Sequence, residues 1–175
     1  QLWPHKNHIT IIKALGFLLR NKKIKINLVL TGKNYGFYKN IVKTAEMEKV
    51  KDQIFYLGLV PFEDLLGLYK QSRFLVSAAL YESSSLPILE AAALGIPIIA
   101  SETEPNKELD LKLKIFYFPV LNFIKLSNII QKEWNSNKRK MHISVNKNNV
   151  KNLDWKDVAK QYLNLFKKIE DQLCL

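Results

Sequence analysis

The feature that most constrains the fold is the regular exchange of short apolar runs with helical segments. The predicted strands span residues 25–31, 53–57, 73–77, 97–100 and 115–118, and several of them are largely apolar throughout rather than alternating. Continuous apolar strands separated by helices are typical of a parallel sheet that is covered on both faces. Because crossovers between parallel strands are almost always right-handed, the pattern predicts an α/β, Rossmann-like doubly wound domain.

The helical segments have recognisable beginnings. Asn7 is predicted to cap a helix that runs to Arg20, and Asp154 to cap a last helix over 154–173 with an apolar stripe. Gly95 is predicted to end a helix over 86–94. Further helices are predicted over 36–50, after Pro61 and over 122–135, and the polar segment 136–152 is predicted to be a mobile loop. In such a domain, ligands bind beyond the carboxyl ends of the strands.

Composition narrows the class of protein. The chain has 175 residues, of which 47% are hydrophobic, which suits one globular domain. Its net charge of +11 favours anionic partners, although a solvated basic surface is the simpler explanation of the charge. No apolar run is long enough to span a membrane, and Cys174 is the only cysteine. A cytoplasmic location is therefore expected, with contact at the inner face of the cell membrane.

Several kinds of chemistry are excluded by missing motifs. The chain contains no G-x-G, so the dinucleotide fingerprint is absent, and it has no C-x-x-C, H-E-x-x-H or G-x-S-x-G. The three histidines, His5, His8 and His142, have no clustered carboxylate or thiol beside them in the sequence. No metal site is therefore expected.

The strongest functional signal is the segment 81–97, which reads Y-E-S-S-S-L-P-I-L-E-A-A-A-L-G-I-P. Its serines and Pro87 suit a helix start, where free N–H groups and the helix dipole favour a phosphate. Glu82 precedes that helix and Glu90 lies within it, so both carboxylates can face one crevice. A carboxylate repels a neighbouring phosphate but can accept two hydrogen bonds from an uncharged sugar diol. One phosphate site flanked by two such carboxylates therefore fits a nucleotide sugar. From spacing alone, Glu90 is more simply interpreted as an exposed helix carboxylate.

These residues resemble the E-x7-E motif of retaining GT-B glycosyltransferases of glycosyltransferase family four. Glu82 and Glu90 match the two glutamates, and the frame around them also matches, at Leu86, Pro87, Leu89, Ala91, Gly95 and Pro97. The segment 3–8, W-P-H-K-N-H, is similar to the family's K-N segment, and L-G-L-V at 57–60 and D-W at 154–155 are also family-like. The similarity covers essentially the whole chain.

The resemblance implies a role for each matched position. Glu82 would be the catalytic residue by the transferred sugar, Glu90 would hold the ribose hydroxyls, and Lys6 would neutralise the diphosphate without a metal ion. The remaining positions would act through the backbone: Ser84, Ser85 and Leu86 toward the diphosphate or sugar, and Leu59 and Val60 toward the base.

The chain also departs from the family pattern. Gln1 stands where the family has an arginine, so a second diphosphate cation is missing unless Lys33 or Lys107 replaces it. Ser83 and Ser85 replace two glycines of the donor loop.

The resemblance implies that residues 1–175 are the donor-binding, C-terminal half of a GT-B enzyme. The first strand and the whole N-terminal acceptor domain would then lie outside this sequence. Such an enzyme moves a hexose from a UDP- or GDP-sugar to a glycan or lipid-linked acceptor, in bacterial surface polysaccharide synthesis. Two alternatives stay open, a sugar-nucleotide epimerase or phosphorylase of the same fold and a non-catalytic basic module that binds nucleic acid. The isolated chain is expected not to transfer sugar.

Overall fold

The computed structural model describes residues 1–83, 85–109, 113–136 and 154–173. A short 3-10 turn, Pro4–Lys6, opens the fold. The helices are α1 (His8–Lys22), α2 (Tyr38–Met47), α3 (Phe62–Gln71), α4 (Leu86–Ala93), α5 (Glu104–Glu108), α6 (Phe123–Trp134) and α7 (Trp155–Leu173). The strands are β1 (Leu28–Thr31), β2 (Ile54–Gly58), β3 (Leu75–Ser77), β4 (Ile98–Ser101) and β5 (Ile115–Phe118).

Strand pairing is parallel throughout these elements, which confirms the predicted α/β class. β1 pairs with β2, and β4 lies between β3 and β5. The hydrogen bonds therefore form two parallel sheets, one of two strands and one of three. Residues before α1 lie against both sheets: Leu2 bridges Asn34, beyond the end of β1, and the N–H of Leu80, beyond β3, donates to the carbonyl of His5.

The sheet β3–β4–β5 is covered on both faces, as a doubly wound fold requires. Every residue of β4 is buried. Because side chains alternate along a strand, Ile99 joins the core formed with α1, α2 and α6, while Ile98 and Ala100 join a second core with α4. The second core also contains Ile88, Ala91 and Ala92 of α4.

The sheet β1–β2 is covered differently on its two faces. Leu30 is buried in the first core, but Val29, Phe55 and Leu57 on the opposite side are each more than 40% exposed. The apolar stripe of α7 is also exposed, at Val158, Tyr162, Leu165 and Ile169. No helix among the described residues is long and apolar enough to cross a bilayer.

Some predicted boundaries are wrong for identifiable reasons. The first strand starts at Leu28, not at residue 25, because the N–H of Ile24 closes the end of α1 on Leu18 and the N–H of Ile26 donates to the Gln53 side chain. The short helix α5 has no counterpart in the prediction.

Other predictions are confirmed or lie outside the described residues. Gly95 has φ of +73° just after α4, which confirms its predicted position. The predicted loop 136–152 lies outside the described residues from 137 onward.

Candidate functional site

The candidate residues gather where the parallel strands end. β1 ends at Thr31 and β2 at Gly58 in one sheet, and β3 ends at Ser77 in the other. The segment before α1 contacts the ends of both sheets, so these strand ends form one edge. Lys6 and Glu82 lie at this edge, on segments that are far apart in sequence.

Three contacts tie the segment around Lys6 to the loop that follows β3. The carbonyl of His5 accepts from the N–H of Leu80 at 2.8 Å. The side chain of Asn7 is buried, and its Nδ2 donates to the carbonyl of Ala78 at 3.1 Å. The rings of His5 and Tyr81 stack with their centroids 5.1 Å apart. Because Lys6 and Glu82 adjoin these residues, the contacts hold the two side chains next to each other.

Lys6 and Glu82 form an ion pair between Nζ and Oε1. Only 12% of the Glu82 side chain is exposed, and its Oε2 is buried without a hydrogen-bond partner among the described residues. A buried carboxylate oxygen without a donor costs free energy, so the pair lies where a hydroxyl or another donor would stabilise it. The structure thus brings together the two residues predicted to act on the sugar and the diphosphate.

A row of stacked rings borders this ion pair. Tyr35 stacks on Trp3 at 3.9 Å between centroids, Trp3 on His5 at 6.3 Å, and His5 in turn on Tyr81. Stacked aromatic pairs contribute beyond their area burial. The row therefore fixes the 3-10 turn that carries Lys6 against both neighbouring loops.

The start of α4 carries two of the predicted backbone donors. Ser85 is the N-terminal cap residue, and its side chain is buried with Oγ lacking a partner among the described residues. Leu86 opens the helix and is largely exposed. The first N–H groups of a helix have no partner within it, so they are available to an anion. Ser84, the third predicted donor, lies outside the described residues.

Glu90 is exposed on α4 and has a partner that the sequence did not indicate. The hydroxyl of Tyr69, on α3, donates to Glu90 Oε2 at 2.9 Å. Burial of the Tyr69 hydroxyl, together with this hydrogen bond, raises its pKa. Among the described residues, the hydrogen bonds of Glu90 do not include Lys6 or Glu82.

Leu59 and Val60 directly follow β2, as predicted. Leu59 is largely exposed and Val60 is partly buried. The preceding Gly58 has φ of +69°, a conformation that turns the chain away from the strand, and its carbonyl accepts from the N–H of Gly32 at 2.7 Å. The backbone of residues 59–60 therefore lies at the same edge as the end of β1.

Neither candidate for a second diphosphate cation contacts the ion pair. Lys107 pairs with Glu102 and Glu104, which raise its pKa. The Nζ of Lys33 lies 5.4 Å from the ring centroid of Tyr35. In the part of the chain that is described, no three His, Cys, Asp or Glu side chains cluster as metal ligands would.

Sequence reasoning missed Tyr69 and the double role of Asn7. Tyr69 lies 21 residues before Glu90, and no motif links the two positions. Asn7 was predicted as a helix cap. It does occupy the cap position, but its Oδ1 accepts from the Thr10 hydroxyl, and its amide binds the loop after β3. The contact of Tyr69 with Glu90 and that of Asn7 with Ala78 each join chain segments that only the fold brings together.

Comparison with known proteins identifies a matching family model and a curated relative. Residues 1–119 match the family model described as "Glycosyl transferases group 1". A curated relative, O-antigen chain mannosyltransferase B of Escherichia coli, is 33% identical over 107 residues, which are 61% of this chain and 28% of that protein. The chain therefore spans about a quarter of the length of that relative.

Two solved structures share the fold. The structure of Anabaena HepE in complex with UDP superposes with a TM-score of 0.79 at 18% identity, over 96% of this chain and 47% of that chain. The catalytic domain of cholesterol-alpha-glucosyltransferase from Helicobacter pylori superposes with a TM-score of 0.70 at 25% identity, over 87% of this chain and 93% of that chain. Both similarities extend beyond residue 119.

Proposed function

Because the chain belongs to the group 1 glycosyl transferases, we propose that it is the donor-binding domain of a retaining glycosyltransferase. The whole enzyme would transfer a hexose from a UDP- or GDP-sugar to a glycan or lipid-linked acceptor. The name of the Escherichia coli relative favours mannose and an O-antigen chain. The acceptor would bind to a further domain outside this chain.

The observation that carries this proposal is the juxtaposition of Lys6 and Glu82 beside the start of α4. A departing nucleoside diphosphate develops negative charge, which a fixed lysine and free helix N–H groups stabilise. Glu82 would face the transferred sugar, with its unpartnered oxygen accepting a sugar hydroxyl. Glu90 would accept the ribose hydroxyls, and the backbone at Leu59 and Val60 would contact the base.

We also propose that nucleotide binding is independent of a divalent cation. Lys6 supplies positive charge at the proposed diphosphate position, and the helix start supplies neutral donors. Calorimetry in EDTA and in Mg²⁺ measures this directly. Equal dissociation constants support the proposal, and a requirement for Mg²⁺ contradicts it.

The net charge of +11 and a lipid-linked acceptor together favour contact of the enzyme with an anionic membrane. Co-sedimentation with vesicles of acidic and of neutral phospholipid tests this part of the proposal. Selective binding to acidic vesicles that falls with added salt is expected.

The two alternatives differ in measurable ways. An epimerase or phosphorylase would convert the sugar nucleotide without an acceptor. A module for nucleic acid would bind a polyanion with steep salt dependence, and free nucleotide would not compete. The absence of interleaved aromatic and basic residues in 125–151 disfavours the second alternative.

A calorimetric panel of UDP, GDP and ADP on the purified chain tests the proposal. We expect one nucleoside diphosphate to bind, and Glu90→Ala to weaken its binding at least about tenfold, because charge-assisted hydrogen bonds contribute about 1.5–3 kcal/mol each. Glu63→Ala, which changes an exposed glutamate at the start of α3, is the matched control. Absence of binding by all three nucleotides refutes the assignment.

A further inference from the structure

Glu90 is exposed on α4, and an exposed glutamate side chain samples many rotamers. Ordering such a side chain on a ligand has an entropic cost, which falls when another group already holds it. The hydroxyl of Tyr69 provides such a group through its 2.9 Å hydrogen bond to Oε2.

Packing against the second core holds Tyr69 in place. Its ring is partly buried and packs against the second core, which contains Ile88 and Ala91 of α4. The hydroxyl therefore projects from a ring whose position the core fixes, and α3 and α4 are joined through it. A carboxylate has about four lone-pair sites, so Glu90 keeps capacity for two hydroxyl donors after accepting from Tyr69.

The position of α3 relates this contact to the proposed base site. α3 begins at Phe62, directly after Leu59, Val60 and Pro61. One rigid helix thus connects the backbone proposed to contact the base with the residue that holds Glu90. Burial and the hydrogen bond to Glu90 also raise the pKa of Tyr69, so its hydroxyl stays protonated as a donor into the alkaline range.

We propose that Tyr69 is a positioning residue, which holds Glu90 in the rotamer that accepts the ribose hydroxyls and so gives the site its preference for ribonucleotides. The inference rests on the proposed function, since it assumes that Glu90 binds ribose. It assigns a role in recognition to a residue that would not itself touch the ligand.

The experiment compares a nucleoside diphosphate with its 2′-deoxy counterpart, using whichever of UDP and GDP the chain binds. Tyr69→Phe removes only the hydroxyl and keeps the packed ring. We expect it to weaken ribonucleotide binding about three- to tenfold and to weaken deoxyribonucleotide binding less, so that the ratio of the two dissociation constants narrows. Tyr162→Phe, at an exposed tyrosine of α7, is the matched control and leaves both constants unchanged.

A double-mutant cycle separates the failure of this inference from failure of the proposed function. In a Glu90→Ala background, Tyr69→Phe is expected to add no further loss, because the group that it positions is gone. If Glu90→Ala leaves ribonucleotide binding unchanged, both the ribose site and this inference are wrong. If Glu90→Ala weakens binding but Tyr69→Phe leaves the ribo-to-deoxyribo ratio unchanged, only the positioning role is wrong.

Discussion

At the scale of single residues, the ion pair of Lys6 and Glu82 sets the charge that an incoming diphosphate meets. The Glu82 carboxylate offsets the Lys6 charge and repels phosphate, since it is mostly buried beside the proposed diphosphate position. Glu82→Gln removes that repulsion and keeps the shape. We therefore expect it to tighten binding of UDP or GDP about three- to tenfold while it lowers sugar transfer by the whole enzyme.

Lys6→Gln provides the opposite test of the same pair. It should weaken binding of the nucleoside diphosphate much more than binding of the nucleoside, because only the former carries the charge that Lys6 neutralises. Asp52→Asn, in the exposed pair of Lys25 and Asp52, is the control for a general change in surface charge. Calorimetry measures all three variants, and weaker diphosphate binding by Glu82→Gln contradicts the proposed geometry.

His8 is the residue through which we expect pH to act on stability. It is partly buried at the start of α1, and its Nδ1 is buried without a partner among the described residues. Burial, with smaller contributions from neighbouring cations that include Lys6, lowers the pKa of His8 from 6.5 to about 4. The folded state therefore binds the proton less tightly than the unfolded state does. The contribution of neutral His8 to the free energy of unfolding is therefore fully present above pH 6.5 and is lost as pH falls toward 4.

This shift corresponds to about 3 kcal/mol of unfolding free energy. Urea unfolding of the chain and of His8→Phe, between pH 7 and pH 4, measures it. The variant cannot titrate at this position, so its stability should fall by about 3 kcal/mol less over the range. Parallel curves for the two proteins would show that His8 is protonated as easily in the folded state as in the unfolded chain.

The residues of the site were predictable to different degrees. Glu82 and Glu90 were singled out by one short motif, and Lys6 by a separate segment near the start of the chain. The ion pair of Lys6 and Glu82 joins these two signals in the fold. The assigned roles of all site residues stay predictions. Tyr69 could not be found from the sequence, because its contact with Glu90 depends on how α3 packs against the second core.

At the scale of elements, Asn7 connects the start of α1 with the end of β3. It has φ of +53°, which a non-glycine residue rarely adopts, and its side chain makes buried hydrogen bonds to Ala78 and Thr10. Asn7→Ala loses both bonds and strains the backbone, so we expect a loss of about 2–4 kcal/mol in unfolding free energy. Asn7→Gly tolerates the backbone and should lose less.

Asn7→Asp separates the two hydrogen bonds of this connection. It retains the acceptor for Thr10 and removes the donor to the carbonyl of Ala78. Because the carboxylate then faces a carbonyl oxygen, this variant should be less stable than Asn7→Gly. Urea unfolding at pH 7 ranks the three variants, and equal stability of Asn7→Ala and the parent chain would show that the connection contributes nothing.

Element types were more predictable than their partners. The apolar runs form strands and the amphipathic segments form helices, as predicted, because the type of an element depends on local periodicity. Which strands pair was not predictable from periodicity, because hydrogen bonding between strands depends on neighbours distant in sequence. Likewise, the stripe on α7 was correctly predicted as apolar, but periodicity does not reveal what covers it.

At the scale of the whole molecule, the exposed apolar surfaces belong to specific elements. Val29, Phe55 and Leu57 form one apolar surface on the sheet β1–β2, and the stripe of α7 forms another. Large exposed apolar patches on a protein surface mark interaction sites.

By itself, this chain is expected to bind a nucleotide without transferring sugar. We expect it to fold around its two cores and to bind a nucleoside diphosphate through Lys6, Glu90 and the start of α4. It should nevertheless transfer almost no sugar. In the proposed enzyme, the acceptor is positioned by another domain, and positioning of a reactant is worth about 7–11 kcal/mol of the barrier. Closure against that domain would also exclude water from Glu82.

The measurement is product formation, followed by mass spectrometry, from the preferred donor sugar and an acceptor glycan. The whole proposed enzyme is the positive control, and Glu82→Gln in that context shows that turnover depends on this site. We expect the isolated chain to bind the nucleotide with a similar affinity and to form product at least several thousandfold more slowly, a conservative fraction of the loss expected from positioning. Comparable turnover would show that these residues already contain the acceptor site, which would then lie at the same edge as the ion pair.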